Sequence, residues 1–407
     1  MKIVSDIKQV VVPRRLRVGV VSDSQLTPFR HNEPTTFESN LLAACRTLKE
    51  QECAFVVFAG DICNRASKNG YETFKRCFNS VFGDDKPVVQ AIMGNHDYYA
   101  HLAPRRLFER ELGMSPFSHY IVNGWHFIGA SPDGCGMYDG YKKVRGWIAE
   151  QLRIAEADGD RPVFVTTHNA PRGTVYGSAR WGDDSLAGLF DEHPQVVNFS
   201  GHTHYSLLDP RAFWQGSFTA FGTQSLSYVE MEKGRANGSV PPLAHTAPMG
   251  YILDFSDDGI AVLRYNMFTG REQLADERII LPAHRPPAEH PAKRERSAPV
   301  FREGEGEWRL TEEGTELSFP RAEGAHHYEL AFSDGTVQTY FSDFYLGDEA
   351  KGERQTLVLY GLKEGVRDVT VTAVNAFGDR SEGCVHVEGV RVLARKYRRK
   401  LAPEIWY

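Results

Sequence analysis

The sequence predicts an α/β domain with parallel strand pairing, followed by a small all-β sandwich. Three observations predict it. From Leu16 to Met93, short apolar runs alternate with segments of helical spacing, in the order strand, helix, strand, helix, strand. Pro282 to Pro299 (PAHRPPAEHPAKRERSAP) is rich in proline and charge and poor in apolar residues, which marks an extended linker. Beyond it only short strand and turn patterns recur, with no helix pattern between them. The predicted organisation is a first domain over 1–281, a linker over 282–299, a β-sandwich over 300–392 and a basic tail over 393–407. A chain of 407 residues exceeds what one core usually serves, so two domains are expected on length alone.

Leu16-Arg-Val-Gly-Val-Val-Ser22 and Ala54-Phe-Val-Val-Phe-Ala59 are near-continuous apolar runs, the pattern of strands buried on both faces. A third strand runs from Pro87 to Met93. Leu41, Leu42, Cys45 and Leu48 give a helix over Glu38 to Glu50, and Phe74, Phe78 and Val81 a second over Tyr71 to Phe82. Asn123-Gly124 is a hairpin signal inside His119 to Ser131. Lys142 to Ala157 is an amphipathic helix, Pro162 to Thr167 a strand, Asp184 to Phe190 a short helix and Gln195 to Ser200 a strand. Apolar segments follow at Phe218 to Leu226, Gly250 to Phe255 and Ile260 to Asn266. Between Ser227 and Met249 lies a polar, Gly/Pro-rich stretch, long for a loop within a domain, where substrate specificity is expected to sit.

Charged residues make up 25% and apolar residues 41%, an ordinary globular balance, and the net charge of -6 argues against general nucleic-acid binding. No apolar run reaches membrane-spanning length. Met1 to Arg17 shows no signal-peptide pattern, and the six cysteines show no CxxC pairing or small-domain framework. These features together predict a cytoplasmic, reducing setting. The partner of the β-sandwich is not legible.

Polar residues gather at the ends of the apolar runs: Asp23, Asp61, Asn95-His96-Asp97, His168 and His202-Thr203-His204. In parallel sheets, groups that do chemistry collect at the carboxyl ends of strands. Imidazoles and carboxylates without thiolates suit first-row divalent ions. Asp61 is the candidate bridge between two ions. His202 and His204, two residues apart on an extended segment, point to one side and reach adjacent ions. Taken alone, a strand-end Asp is a turn residue and a lone His a satisfied polar group; the ordered set carries the metal reading. His31, His101, His119, His126 and His193 lie outside these packets and are read as structural.

The packets resemble, in content and order, the motifs of the calcineurin-like metallophosphoesterase family: Asp23-Ser-Gln25, Gly60-Asp61-Ile-Cys-Asn64, Gly94-Asn95-His96-Asp97, Thr167-His168 and Gly201-His202-Thr203-His204. The resemblance covers roughly residues 16 to 270. It implies a four-layer α/β/β/α sandwich and two divalent ions, Mn, Fe or Zn. One ion would be held by Asp23, Gln25, Asp61 and His204, the other by Asp61, Asn95, His168 and His202. It further implies hydrolysis of a small phosphate ester by a metal-bound hydroxide, with His96 assisting the leaving group and a phosphodiester slightly favoured over a monoester. Arg65 and Arg172 are candidate substrate contacts, with Tyr176 beside the latter.

Gln25 replaces the family's usual histidine, which weakens the first ion site. The rival reading is therefore a catalytically weak relative used as a docking surface. Asn64 stands where protein phosphatases keep an aspartate that orients the catalytic histidine; that role passes to Asp97 or is absent. The C-terminal region resembles a fibronectin type III domain through Tyr360-Gly-Leu-Lys-Glu-Gly365 and the strand from Val369 to Gly378.

Overall fold

The computed structural model describes residues 6–27, 35–136, 138–284 and 297–396. His31, most of the linker and the tail beyond 396 lie outside them. The chain forms two compact units. Within the described residues the first runs to Val229 and resumes at His245, and the second takes Glu230–Ala244 together with the residues from 297 onward.

The first half of the first unit contains β1 (Ile7–Val10), β2 (Arg17–Val21), α1 (Thr36–Glu50), β3 (Phe55–Phe58), α2 (Lys68–Phe82), β4 (Val88–Ala91), α3 (Pro104–Leu112), β5 (Phe117–Val122) and β6 (Trp125–Ala130). It continues with α4 (Arg145–Ala157), β7 (Val163–Thr167), α5 (Ser178–Trp181), α6 (Asp184–Phe190), β8 (Val196–Ser200), β9 (Phe213–Gln215) and β10 (Thr219–Gly222). It closes with β11 (Met249–Phe255), β12 (Ile260–Asn266), β13 (Arg271–Gln273) and β14 (Ile279–Leu281). One sheet has the order β1-β5-β6-β7-β8-β10-β9; the other has β13-β12-β11-β2-β3-β4, with β14 on β12. The strands that lead into the polar packets pair in parallel, β2 with β3 and β3 with β4 in one sheet, β7 with β8 in the other.

Aromatic side chains join the sheets face to face. Phe55 of β3 meets Tyr120 and Phe127 at 5.4 and 4.9 Å, and Phe255 of β11 meets Trp125 and Phe164 at 5.1 and 5.5 Å. On the outer face of one sheet, Phe37, Leu41, Phe74, Phe78 and Phe108 from α1, α2 and α3 pack with Val56, Phe58 and Ile252. On the other, Ile148, Leu152, Leu186 and Phe190 from α4 and α6 pack with Val163, Val165 and Val196. This is the expected α/β/β/α order. Each strand of the FVVF type is apolar throughout because both its faces are covered.

Local chemistry fixes the element ends. Thr35 and Glu38 form a reciprocal capping box at α1, of the kind that contributes about 1 kcal/mol. Asn123 and Gly124, with φ of 48° and 81°, make the hairpin between β5 and β6. Helix α5 and strands β9, β13 and β14 go beyond the sequence reading, as do β1 and α3. Strand β1 adds to β5 in parallel. Helix α3 buries only Leu107 and Phe108, too few apolar residues to show a helical period. Among the described residues no helix is long and apolar enough to cross a membrane.

His119 and His126 sit inside this unit, away from the polar packets. His119 Nδ1 is 3.0 Å from Gln151 Oε1 and its Nε2 is 2.8 Å from His126 Nδ1, whose Nε2 reaches Asp158 Oδ2 at 3.1 Å. Burial pushes the His119 imidazole from 6.5 down to about 4, against the Gln151 hydrogen bond. Between those values the unfolded chain takes up a proton that the folded chain refuses, so stability rises with pH there. The contribution is complete above pH 6.5 and lost as pH falls toward 4, by up to about 3 kcal/mol. Urea unfolding at pH 7.5 and 4.5 should show that loss in the wild type and a smaller one in His119→Gln. Parallel losses in the two proteins would clear His119 of the effect.

The second unit contains β15 (Val300–Phe301), β16 (Glu307–Thr311), β17 (Gly314–Pro320), β18 (Ala322–Glu323), β19 (His327–Phe332), β20 (Val337–Phe341), β21 (Arg354–Val358), β22 (Gly365–Val374) and β23 (Val385–Val392). Its antiparallel sheets have the orders β16-β17-β21 and β20-β19-β22-β23, with a small β15-β18 pair. Leu317, Phe319, Tyr328, Tyr340, Val371 and Val390 fill its core. Segment Glu230–Ala244 belongs to this unit, not to a specificity loop of the first. Ala236 N donates to Thr339 O at 2.8 Å, and the Asn237 amide bonds both the N–H and the C=O of Phe341 at 3.0 and 3.1 Å. Tyr345 donates its hydroxyl to Pro242 O at 2.6 Å.

Candidate metal centre

The structure brings all five packets together, on loops just past the carboxyl ends of β2, β3, β4, β7 and β8. The first two loops run side by side: Asp23 N donates to Gly60 O at 3.0 Å and Gln25 N to Asp61 O at 2.9 Å. Ten described non-glycine residues have positive φ, and five of them are Asp23, Gln25, Asp61, His202 and His204. Backbone strain of this kind persists where surrounding contacts over-determine it. His202 and His204, at φ 69° and 59°, therefore lie on a left-handed loop and not on the extended segment expected from their spacing. Gly201 has no room for a side chain, because a Cβ there would lie 1.9 Å from Ser22 Oγ and 2.5 Å from Asp23 Oδ2.

Main-chain carbonyls set the tautomers. Nδ1 of His168 is 2.8 Å from Ala59 O, Nδ1 of His204 is 2.9 Å from Tyr228 O, and Nδ1 of His96 is 2.9 Å from Asn64 O. A carbonyl only accepts, so each Nδ1 carries a proton and Nε2 is the nitrogen turned toward the site. His168 Nε2 faces Asn95 Oδ1 at 3.1 Å and Asp61 Oδ2 at 3.3 Å. His204 Nε2 faces Asp23 Oδ1 at 3.2 Å and the Gln25 amide at 3.3 Å. Ligand atoms of Asp61, His168 and His202 lie within 4.8 Å of one another.

These residues fit divalent cations. Asp23 Oδ1 and His202 Nε2 are buried without a hydrogen-bond partner, a costly state for groups with nothing to bind. Burial and the charge of His168 push His202 down to about 3, which keeps its lone pair. Burial opposes charge on Asp23 and Asp61, yet the histidines beside them hold both carboxyls below the usual range. Burial likewise opposes a charged His168, and Asp61 overrides it and raises the ring to about 9. Lone pairs and carboxylates thus surround a point that calls for positive charge.

The family model for calcineurin-like phosphoesterase matches residues 16–206. This stretch is a calcineurin-like phosphoesterase domain. The family implies divalent metal ions, in agreement with the donor set. No curated protein matches the chain. Similar solved structures include GAP50, the anchor in the inner membrane complex of Plasmodium, at 14% identity over 67% of this chain and 90% of that one, with a TM-score of 0.47. A purple acid phosphatase from yellow lupin seeds shares 11% identity over 64% of this chain and 52% of its own, with a TM-score of 0.43. A protein of Streptococcus pneumoniae described as a predicted phosphoesterase shares 11% over 67% and 99%, at 0.31.

Around the ligands, the phosphoesterase domain differs from the sequence reading in three places. Asp97 does not reach the His96 ring, which the Asn64 carbonyl orients instead. Its carboxylate accepts from the N–H groups of Ile62, Cys63 and Gly94 at 3.0–3.1 Å and from the Tyr71 hydroxyl at 3.2 Å, stapling the Asp61 loop to the Asn95 loop. Burial and the nearby Asp61 push this carboxyl up to about 7 against those bonds. Arg172 is engaged elsewhere: it pairs with Asp184, donates to Ala179 O and Gly182 O at 2.7 and 2.8 Å, and covers the Tyr138 ring. Tyr176 packs edge-on against Tyr205 and under Arg211. Arg65, by contrast, is exposed and makes no ion pair among the described residues.

Several residues of the phosphoesterase site carried no signal in the sequence. Ser225 Oγ and Ser227 N both donate to Asp23 O, at 3.0 and 3.1 Å. The rings of Tyr99, Trp181 and Tyr228 pack on His96, His202 and His204 at 5.0, 6.1 and 4.4 Å. Tyr99 lies two residues past the Asn95-His96-Asp97 packet and could have been found from that proximity. The others converge from distant parts of the chain.

Proposed function

We propose that this domain hydrolyses a small phosphate ester with two divalent ions, one held by Asp23, Gln25, Asp61 and His204 and the other by Asp61, Asn95, His168 and His202. The observation that carries the reading is the shared orientation of His96, His168 and His204, each pinned at Nδ1 so that Nε2 is left for a ligand. When bound, such an ion pair lowers the pKa of a water and draws charge from phosphoryl oxygens. His96 is half-buried and is not needed as a ligand; with Nδ1–H held by Asn64 O, the second proton of its imidazolium, at Nε2, would hydrogen-bond the phosphoryl group and pass to the leaving oxygen. Arg65 offers its unpaired guanidinium to the phosphate at the mouth. The ions are Mn, Fe or Zn, and a phosphodiester is favoured over a monoester. The second unit is read as a fibronectin type III-like binding module, supported by its three- and four-stranded antiparallel sheets.

The test is extraction with a chelator, re-addition of Mn²⁺, Fe²⁺ or Zn²⁺, and assay of an aryl phosphate against a bis-aryl phosphate. Two ions per chain and metal-restored turnover, faster on the diester, are expected. No restored turnover on either ester would overturn the reading and leave a docking surface in its place.

A further inference from the structure

Asp23 has two carboxylate oxygens, and the protein treats them differently. Oδ2 accepts from the main-chain N–H of His202 at 3.1 Å and from the Ser22 hydroxyl. Oδ1 is buried without a hydrogen-bond partner. Each carboxylate oxygen offers two lone pairs to donors or cations. Two donors therefore use up Oδ2 and leave Oδ1 as the oxygen open to an ion.

The Ser22 hydroxyl is committed to this contact. Its one proton has two acceptors in reach, Asp23 Oδ2 and Ala59 O, the latter at 3.1 Å. The Ala59 carbonyl already takes the Nδ1–H of His168 at 2.8 Å, and a bond to a carboxylate is the stronger of the two. Ser22 is fully buried, its carbonyl accepts from Leu226 N at 2.9 Å, and Gly201 leaves room for its Oγ by having no Cβ.

We propose that Ser22 is a positioning residue that confines Asp23 to ligation through one oxygen and thereby sets the first ion site against Ca²⁺. The inference rests on the two-ion reading above. Ca²⁺ takes about 6–8 oxygen donors and accepts both oxygens of one carboxylate, whereas the smaller first-row ions are served by fewer donors. Without the hydroxyl, Oδ2 regains a lone pair and Asp23 can chelate.

Displacement of Mn²⁺ by Ca²⁺ tests it, in the wild type, Ser22→Ala and Ser24→Ala. Ser24 is the matched control: it is as buried as Ser22 and flanks Asp23 on the other side, but its hydroxyl donates to Ile62 O at 2.9 Å. Protein loaded with two Mn²⁺ is titrated with Ca²⁺, and released Mn²⁺ is read by its EPR signal. In Ser22→Ala one of the two ions should leave at about 10-fold less Ca²⁺ than in the wild type, and the other at an unchanged concentration. Ser24→Ala should follow the wild type within about twofold. Equal shifts in the two variants, a shift of both ions alike, or no shift in Ser22→Ala would overturn the inference alone. A wild type that takes up fewer than two Mn²⁺ would overturn the two-ion reading itself, and this inference with it.

Discussion

On the two-ion reading, Gly94→Ala should empty the second ion site and cost the first unit about 2 kcal/mol of stability. A Cβ at this position would lie 2.1 Å from Asp61 Oδ1, 2.6 Å from Asp61 N and 2.5 Å from His168 Cε1. None of these atoms can retreat easily. Asp61 Oδ1 accepts from His96 N at 2.8 Å, and His168 is held at its own N–H by the Tyr141 hydroxyl and at Nδ1 by Ala59 O. Gly94 N is itself fixed to Asp97. The methyl group therefore displaces the bridge candidate and a ligand histidine together. Urea unfolding and Mn²⁺ titration read the two effects separately. Gly188→Ala serves as the control, since a Cβ there meets nothing within 4 Å and alanine favours the α6 helix. Wild-type Mn²⁺ binding by Gly94→Ala would show that Asp61 and His168 do not have to stand where the structure puts them.

On the proposed mechanism, His96→Ala should lower turnover by about 10²–10⁴-fold, the range for loss of a positioned acid or base, and leave both ions in place. Retention of metal is the diagnostic half of this result. His96 shares its packet with Asn95, and sequence order alone would allow either to be a ligand. The ring contacts Asn64 O through Nδ1 and the Tyr99 ring through its edge. Its backbone N–H supports Asp61, and alanine keeps that N–H. A variant that loses one ion along with activity would make His96 a ligand and undo its assignment as the proton donor.

The parts legible in the sequence are those with a local signature. Runs such as Phe55–Phe58 are apolar because parallel strands are covered on both sides, and their ends mark where Asp61 and its counterparts stand. The helices α1, α2 and α4 show in their spacing, the alternation gives an α/β domain with parallel pairing, and the α/β/β/α order comes only from the family resemblance. What was illegible depends on groups far apart in the chain. The bond from Asn237 to Phe341 spans 104 residues, and the one from Ser225 to Asp23 spans 202. Arg172 looks free in sequence because its partners Ala179 and Gly182 are main-chain carbonyls, which every residue has. Asp97 is placed correctly by its motif, but its four donors could not be foreseen, three of them being backbone N–H groups of loops whose conformation is set by the site itself. Sequence patterns report periodic burial well. They report poorly the aperiodic polar contacts that hold a site in register.

The passage of Glu230–Ala244 into the second unit has a consequence in time. This segment leaves the ribosome 104 residues ahead of Phe341, the residue whose backbone its Asn237 will bind. At ordinary elongation rates that interval is on the order of 5–20 s. Throughout it Ala236, which packs against the sandwich core, has no finished β-sandwich to enter. The nascent phosphoesterase must therefore complete β11 and β12 around an unfilled excursion, and the last third of the chain arrives to close a fold begun long before it.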